Sequence, residues 1–200
     1  DCGATGDAEV IFTATDECGN TTTRTATVTV EDITNPVWNN VPTDLTVECD
    51  GSNDPSGTIA AWLSSNGGTG TATDACGSIT FTEDYSGFDD GTTCGTTGSA
   101  TITFTATDDC GNATTATAVL TINDTTAPSW TNDPSDLTLE CDGTTDPSGL
   151  IAAWLTAVGN TGTATDACGS VAFTNNYTGL SDDCGATGDA EVIFTATDEC

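Results

Sequence analysis

Apolar and polar residues alternate along much of this chain. The stretches AEVIFTAT (8–15), ATITFTAT (100–107) and TATAVLTI (115–122) change character at almost every position. A period of two sets one face of a strand against a core and the other against solvent. Thr fills many of the polar positions, where a β-branched side chain suits a pleated surface. Within 31–122 the same reading gives short strands at DLTVEC (44–49), GTATD (70–74), SITFTEDY (78–85), SATITFTATD (99–108) and TTATAVLTI (114–122). The last two flank the turn DCGN (109–112) and predict a hairpin. One stretch breaks the alternation. In DPSGTIAAWLSSNGG (54–68), Asp54 reads as the N-cap of a helix, Pro55 as its first residue and Gly67 or Gly68 as its stop. In the corresponding later stretch Ile151, Trp154, Leu155 and Val158 fall at i, i+3, i+4 and i+7, one stripe of a short helix laid on a sheet edge. Many short strands and one helix favour an all-β fold, an antiparallel sandwich of immunoglobulin-like type with one short helix inserted per repeat.

The alternation is itself repeated. Residues 1–18 and 183–200 are identical, and a shift of 92 superimposes Trp38 on Trp130, Cys49 on Cys141, Trp62 on Trp154, Cys76 on Cys168 and Tyr85 on Tyr177. Beyond Asp90 the shift falls to 90, because FDDGTTCG is answered by the shorter SDDCG. Three segments follow: 1–30 holds the last two strands of a repeat, 31–122 is a complete repeat, and 123–200 is a repeat without its last strand. The pattern reads as a window on a longer tandem array.

Charge narrows the choice of partners. Against 31 acidic residues stands one basic residue, Arg24, for a net charge of −30, and His and Met are absent. Nucleic acid requires clustered Lys and Arg and is excluded as a partner, as is an anionic membrane surface. No apolar run approaches the roughly 18 to 20 residues of a membrane span, and no signal peptide is visible. A repeat of some 90 residues buries a small core that benefits from reinforcement. The ten cysteines recur at four positions per repeat, without His and without a CxxC pair, which points to disulfides rather than zinc and to an oxidising, extracellular setting.

Three motifs carry a family resemblance. D-x-T-x-P opens the repeat at 32–36 and 124–128, TDACG lies in its middle at 73–77 and 165–169, and FTATDxCGN closes it at 12–20 and 104–112. Together they resemble the hyalin-type (HYR-like) repeat, above all the acidic, cysteine-bearing versions strung along giant cell-surface adhesins of Bacteroidota, including gliding adhesins of the SprB type. The resemblance spans the whole chain. It implies tandem sandwich repeats, export by the type IX route, and a place in a cell-surface filament that serves adhesion or gliding. Neighbouring repeats, other filaments or surface polysaccharide are then the partners. It also implies O-glycosylation at Thr125, since Asp124-Thr125-Thr126 fits the short Asp-Thr/Ser acceptor motif of that group. The N-x-Thr triplets at Asn20, Asn112, Asn123 and Asn176 are common accidents in a Thr-rich chain.

With the sandwich as a premise, four cysteines per repeat allow three connectivities. In an immunoglobulin-like order Cys76 and Cys110 stand on turns at one end, while Cys49 and Cys94 stand at the other. Pairing Cys94 with Cys110 is disfavoured, because about nine extended residues at roughly 3.3 Å each separate them, against a Cα distance of at most about 7 Å in a disulfide. The expected bridges are Cys49 with Cys94, Cys76 with Cys110, Cys141 with Cys184 and Cys168 with Cys200. Each closes a loop of some 30 to 45 residues, which the chain-entropy model values at roughly 4 kcal/mol. Cys2 and Cys18 are expected to pair upstream.

The same topology gathers carboxylates at the ends of the repeats. Asp32 is expected near Asp74 and Asp108, with Asn112 beside them, and Asp124 near Asp166 and Asp198. Such oxygen clusters suit calcium, which takes six to eight oxygen ligands. A plainer reading weighs against it: Asp in TDxCGN is a turn former, and an acidic surface keeps an exposed filament soluble and its sheet edges apart. The carboxylate pairs Glu83–Asp84 and Asp89–Asp90 raise glycoside hydrolysis, but adjacent strand residues face opposite ways and no His, Lys or nucleophile motif joins them. No enzyme activity is expected. Trp62 and Trp154 read as core, and Trp38 and Trp130 as packing at a repeat boundary, rather than as sugar platforms. The favoured reading is a structural segment, the shaft of a long extracellular filament or adhesin. A carbohydrate- or surface-binding module is the alternative.

Overall fold

A computed structural model describes residues 2–87, 94–181, 183–185 and 187–200. The chain is mostly β, with several sheets and two short helices. Two long strands, β1 (Gly6–Thr15) and β2 (Thr21–Val30), form a hairpin in which Gly6 faces Val30 and Thr15 faces Thr21. There follow β3 (Val37–Asn40), β4 (Leu45–Glu48), helix α1 (Thr58–Ser64), β5 (Thr71–Thr73), β6 (Ile79–Glu83), β7 (Gly98–Asp108) and β8 (Ala113–Asn123). β3 pairs with β5, while β4, β8, β7 and β6 form one four-stranded sheet in that order. The third segment repeats part of this plan with β9 (Ser129–Asn132), helix α2 (Leu150–Thr156), β10 (Thr163–Thr165), β11 (Ala172–Asn175) and β12 (Phe194–Thr197). There β9 pairs with β10 and β11 with β12. Among the described residues, 2–46, 57–87 and 99–121 make one compact unit, and 47–56, 94–98 and 122–200 a second. Among the described residues no helix is long and apolar enough to cross a membrane.

Burial follows the alternation within 31–122. Ile102, Phe104 and Ala106 of β7 and Ala118, Leu120 and Ile122 of β8 are buried, together with Ile59 and Trp62 of α1. Trp62 meets Phe104 edge-on, with ring centroids 5.3 Å apart, and its Nε1 donates to the Thr43 carbonyl at 2.9 Å. Trp154 repeats both contacts, on Phe194 at 5.2 Å and the Ser135 carbonyl at 2.8 Å. The hairpin β1–β2 has the same alternation and buries almost none of it. Phe12 is 62 % exposed, whereas Phe104, its counterpart at the shift of 92, is 1 % exposed. A strand pattern fixes which face is apolar, and burial requires the opposing elements as well.

Several expectations are revised. The helices begin at Thr58 and Leu150, after a short 3-10 turn, with Gly57 and Gly149 left-handed at φ 69° and 70° in the cap position. Asp146 reaches past that turn, and its Oδ1 accepts from the Ile151 N–H at 2.7 Å. Val158 lies beyond the end of α2 at φ 51°, off the expected stripe. Trp38 and Trp130 pack inside their own segments, on Phe81 at 5.5 Å and Phe173 at 5.6 Å, rather than at a repeat boundary. β3 and β9 form directly after the D-x-T-x-P phrases, where no strand is expected. Conversely, DLTLEC (136–141), the counterpart of β4, is not a strand. β4 is held by β8, and the third segment has no counterpart of β8.

Candidate functional site

Each repeated D-x-C phrase builds a turn around its aspartate. Asp108 Oδ1 accepts from the N–H groups of Cys110 and Asn112 at 2.8 and 2.9 Å, and Oδ2 from Asn112 Nδ2 at 2.9 Å. Asp16 holds Cys18 and Asn20 in the same way. Asp74, Asp166 and Asp198 each accept from the N–H of the cysteine two residues on, at 2.9, 2.7 and 2.8 Å. Burial opposes ionisation of Asp108 most strongly, yet the Asn112 side chain and the N–H groups of Asn112, Cys110 and Gly111 outweigh it and hold the carboxyl below its ordinary 3.8. At Asp16 the Asn20 side chain is the leading cause of a shift in the same direction.

These turns bring the carboxylates together. One Asp32 oxygen lies within 4.8 Å of Asp108 and the Cys110 sulfur, and Asp32 makes a second such group with Asp74 and Cys76. Asp124 does the same with Asp166 and Cys168, and with Asp198 and Cys200. Asn112 enters through Nδ2, which donates to the Asp32 carbonyl at 3.1 Å. Asp32 Oδ1 accepts from the Thr34 N–H and Asp124 Oδ1 from the Thr126 N–H, but Oδ2 of each is buried with no hydrogen-bond donor among the described residues. The sulfurs of Cys110, Cys168 and Cys200 are in disulfides and are not thiolate ligands. The Cys76 thiol is free, and the other groups are left with carboxylate oxygens alone; each cluster holds an orphaned acceptor, a fit to a hard cation such as calcium. Arg24, the one basic residue, is turned to the Thr23 carbonyl.

The disulfides correct the expected pairing. Among the described residues Cys2 is bonded to Cys110, Cys49 to Cys168 and Cys94 to Cys200, with Cα separations of 5.0, 6.1 and 5.3 Å. Cys18, Cys76, Cys141 and Cys184 are free. None of the expected bridges, Cys49–Cys94, Cys76–Cys110, Cys141–Cys184 or Cys168–Cys200, forms, and Cys2 pairs downstream rather than upstream. The placement of the cysteines nonetheless follows the expected ends. Cys49 Sγ lies 3.2 Å from Thr96 Oγ1 on the loop of Cys94, and Ser78 beside Cys76 donates its N–H to Asp109 beside Cys110 at 3.0 Å. No two cysteines within 31–122 bond to one another. Cys49, Cys94 and Cys110 bond to cysteines of adjoining segments.

Sequence reasoning missed three carboxylate clamps, one at Glu48 and a matching pair at Asp50 and Asp142. Glu48 accepts from the Thr125 N–H at 2.7 Å and from the hydroxyls of Thr125 and Thr126, so the hydroxyl of the glycosylation candidate is already hydrogen-bonded. The Thr125 N–H is the leading cause that holds Glu48 below its ordinary 4.5. Asp50 gathers Ser52 and the Ser56 N–H, and Asp142 gathers Thr144 and the Ser148 N–H. The signal for this second pair is the phrase C-D-G-x-x-D at 49–54 and 141–146. Of the suggested acid pairs, Glu83 Oε2 accepts from the Tyr85 N–H and Asp84 Oδ1 from the Thr103 N–H at 2.7 Å. Asp89 and Asp90 lie outside the described residues. Two clefts of 630 and 610 Å³ flank α2, lined by Ile151, Trp154, Tyr177, Leu180 and Phe194 among others. The counterparts of Ile151, Trp154 and Phe194 at the shifts of 92 and 90, Ile59, Trp62 and Phe104, are buried. Neither the known family models nor the curated proteins contain a match to this chain.

Proposed function

We propose that this chain is a segment of the shaft of a long extracellular filament or adhesin, built of tandem immunoglobulin-like repeats related to the hyalin type and free of catalytic activity. Three disulfides agree with an oxidising, extracellular environment. Placement on a cell surface, type IX export and service in adhesion or gliding extend that reading by resemblance. The observation that carries it is the connectivity: each bridge joins a cysteine of one sequence segment to a cysteine of the next. From Cys2 a covalent route crosses to Cys110, runs back along β7 to Cys94, and crosses to Cys200, so 16 residues of backbone separate the two crossings. Most of those residues are the strand Gly98–Asp108, which is already extended. Tension along this route finds almost no slack.

Pulling single oxidised molecules between Cys2 and Cys200 tests the mechanical role. With the two crossings of 5.0 and 5.3 Å included, the route predicts a fully stretched length of about 65 Å, and reduction raises it to about 670 Å, at roughly 3.4 Å per residue. An oxidised chain that pays out to several times the shorter length contradicts the shaft reading. Carboxylates engaged by backbone N–H groups, such as Asp84 held below its ordinary value by the Thr103 N–H, also fit scaffolding better than general acid catalysis. The shaft is proposed to bind calcium at Asp32, Asp74 and Asp108 and at Asp124, Asp166 and Asp198, where it would neutralise facing carboxylates and satisfy the orphaned Oδ2 atoms. A higher melting temperature in calcium than in chelator is expected. Identical melting in both removes the metal.

A further inference from the structure

The three bridges obey one translational rule. Cys2–Cys110 and Cys94–Cys200 are the same bridge one repeat apart: the cysteine that precedes the penultimate strand bonds to the cysteine of the closing turn in the next segment. Cys49–Cys168 is a second kind, from the cysteine that follows β4 to the TDACG cysteine of the next segment. Moved by one repeat in either direction, the rule finds no partner within this chain for Cys18, Cys76, Cys141 and Cys184. These are the four free cysteines.

Glycines report the same junction independently. A Cβ on Gly3 would stand 3.1 Å from the carbonyl carbon of Cys76, and one on Gly95 would stand 3.2 Å from that of Cys168, two counterparts on two counterparts. A Cβ on Gly51 would stand 2.7 Å from the Ala167 carbonyl oxygen. Gly185 and Gly143, the corresponding residues of the last segment, have nothing within 4 Å of that position among the described residues. The surface that receives a neighbour in one segment is therefore open in the next, beside a free cysteine in each case.

From these observations, and resting on the tandem-array reading above, we infer that Cys141 and Cys184 form the docking edge for a following repeat of this sequence type, and Cys76 and Cys18 the edge for a preceding one. Every junction between complete repeats then carries two disulfides, and no bridge closes within a repeat. Each new bridge forms when a thiolate attacks a disulfide oxidant, such as oxidised glutathione or a disulfide oxidoreductase. The oxidant departs as two thiols, carrying the two electrons and two protons that the cysteine pair gives up.

The test lengthens the chain in register by joining a second copy of residues 111–200 after Cys200, refolds both chains in oxidised and reduced glutathione, and maps them without reduction. The 200-residue chain should show three bridges and four alkylated cysteines. The longer chain should show five bridges and again four alkylated cysteines, with Cys141 and Cys184 now bonded to the TDACG and closing-turn cysteines of the added segment. A Cys141–Cys184 bridge in either chain, or alkylation of both residues in the longer one, overturns the inference. Melting temperatures of both chains report folding separately. Because mapping reads sulfur connectivity and not mechanics, within-repeat pairing would leave the array standing. Extension under force would sink the shaft reading without touching the map.

Discussion

Val158 occupies a backbone conformation that its side chain disfavours. Its φ of 51° falls in the left-handed region, where a β-branched residue crowds its own carbonyl, and Asn66 holds the corresponding place at φ 54° in the complete repeat. Replacing Val158 by Asn is expected to stabilise the chain by about 1 kcal/mol, read from urea unfolding. Nothing in the sequence alone marks this strain, because the apolar spacing of Ile151, Trp154, Leu155 and Val158 continues past the point where the helix stops. The aspartate turns are the opposite case. D-x-C-G-N specifies its hydrogen bonds within five residues, so the turn is legible from the phrase itself. Hydrogen bonds of this kind, in two of these turns and at other carboxylates, set the acid response. Asp16, Asp50, Asp84, Asp108, Asp109, Asp142 and Glu48 all ionise below their ordinary values. A depressed carboxyl contributes stability above the unfolded value and loses it as pH falls through the folded one. In high salt, where repulsion is screened, stability should hold down to about pH 5 and decline as pH falls through and below 4.5 and 3.8. Stability that rises on acidification through that window would contradict the assignment.

Strands β1 and β7 are the same element in two settings. Both contain FTAT toward their ends, and both carry an apolar face, but β7 lies in a four-stranded sheet and β1 in an isolated pair. Phe104→Ala should therefore cost about 3 to 5 kcal/mol, while Phe12→Ala should stay within about 0.5 kcal/mol, measured by chemical denaturation. Equal losses at the two sites would contradict the burial described above. The comparison also explains which elements are legible in the sequence. Alternation locates β1, β2, β7 and β8 because it runs for ten or eleven residues in each. It misses β3 and β9, where VWNN and SWTN give too few positions to show a period. At 136–141 it predicts a strand that does not form, since a strand depends on its partner as much as on its own residues.

At the level of the whole chain, sequence placed the cysteines and the carboxylates but not the bonds between cysteines. The gathering of Asp32 with Asp74 and Asp108, and of Asp124 with Asp166 and Asp198, follows from where the turns fall along the strands. Connectivity does not follow, because a cysteine at the end of a small β unit faces both its own repeat and the next. The distance argument against a Cys94–Cys110 bond holds, yet it cannot separate a bond within the repeat from one to an adjoining segment. Covalent ties between successive segments remain the claim on which the mechanical account depends. Mapping of the oxidised 200-residue chain without reduction tests it most directly. The account predicts peptides that join Cys2 to Cys110, Cys49 to Cys168 and Cys94 to Cys200, with alkylation at Cys18, Cys76, Cys141 and Cys184. Peptides that join Cys49 to Cys94 and Cys76 to Cys110 would contradict it.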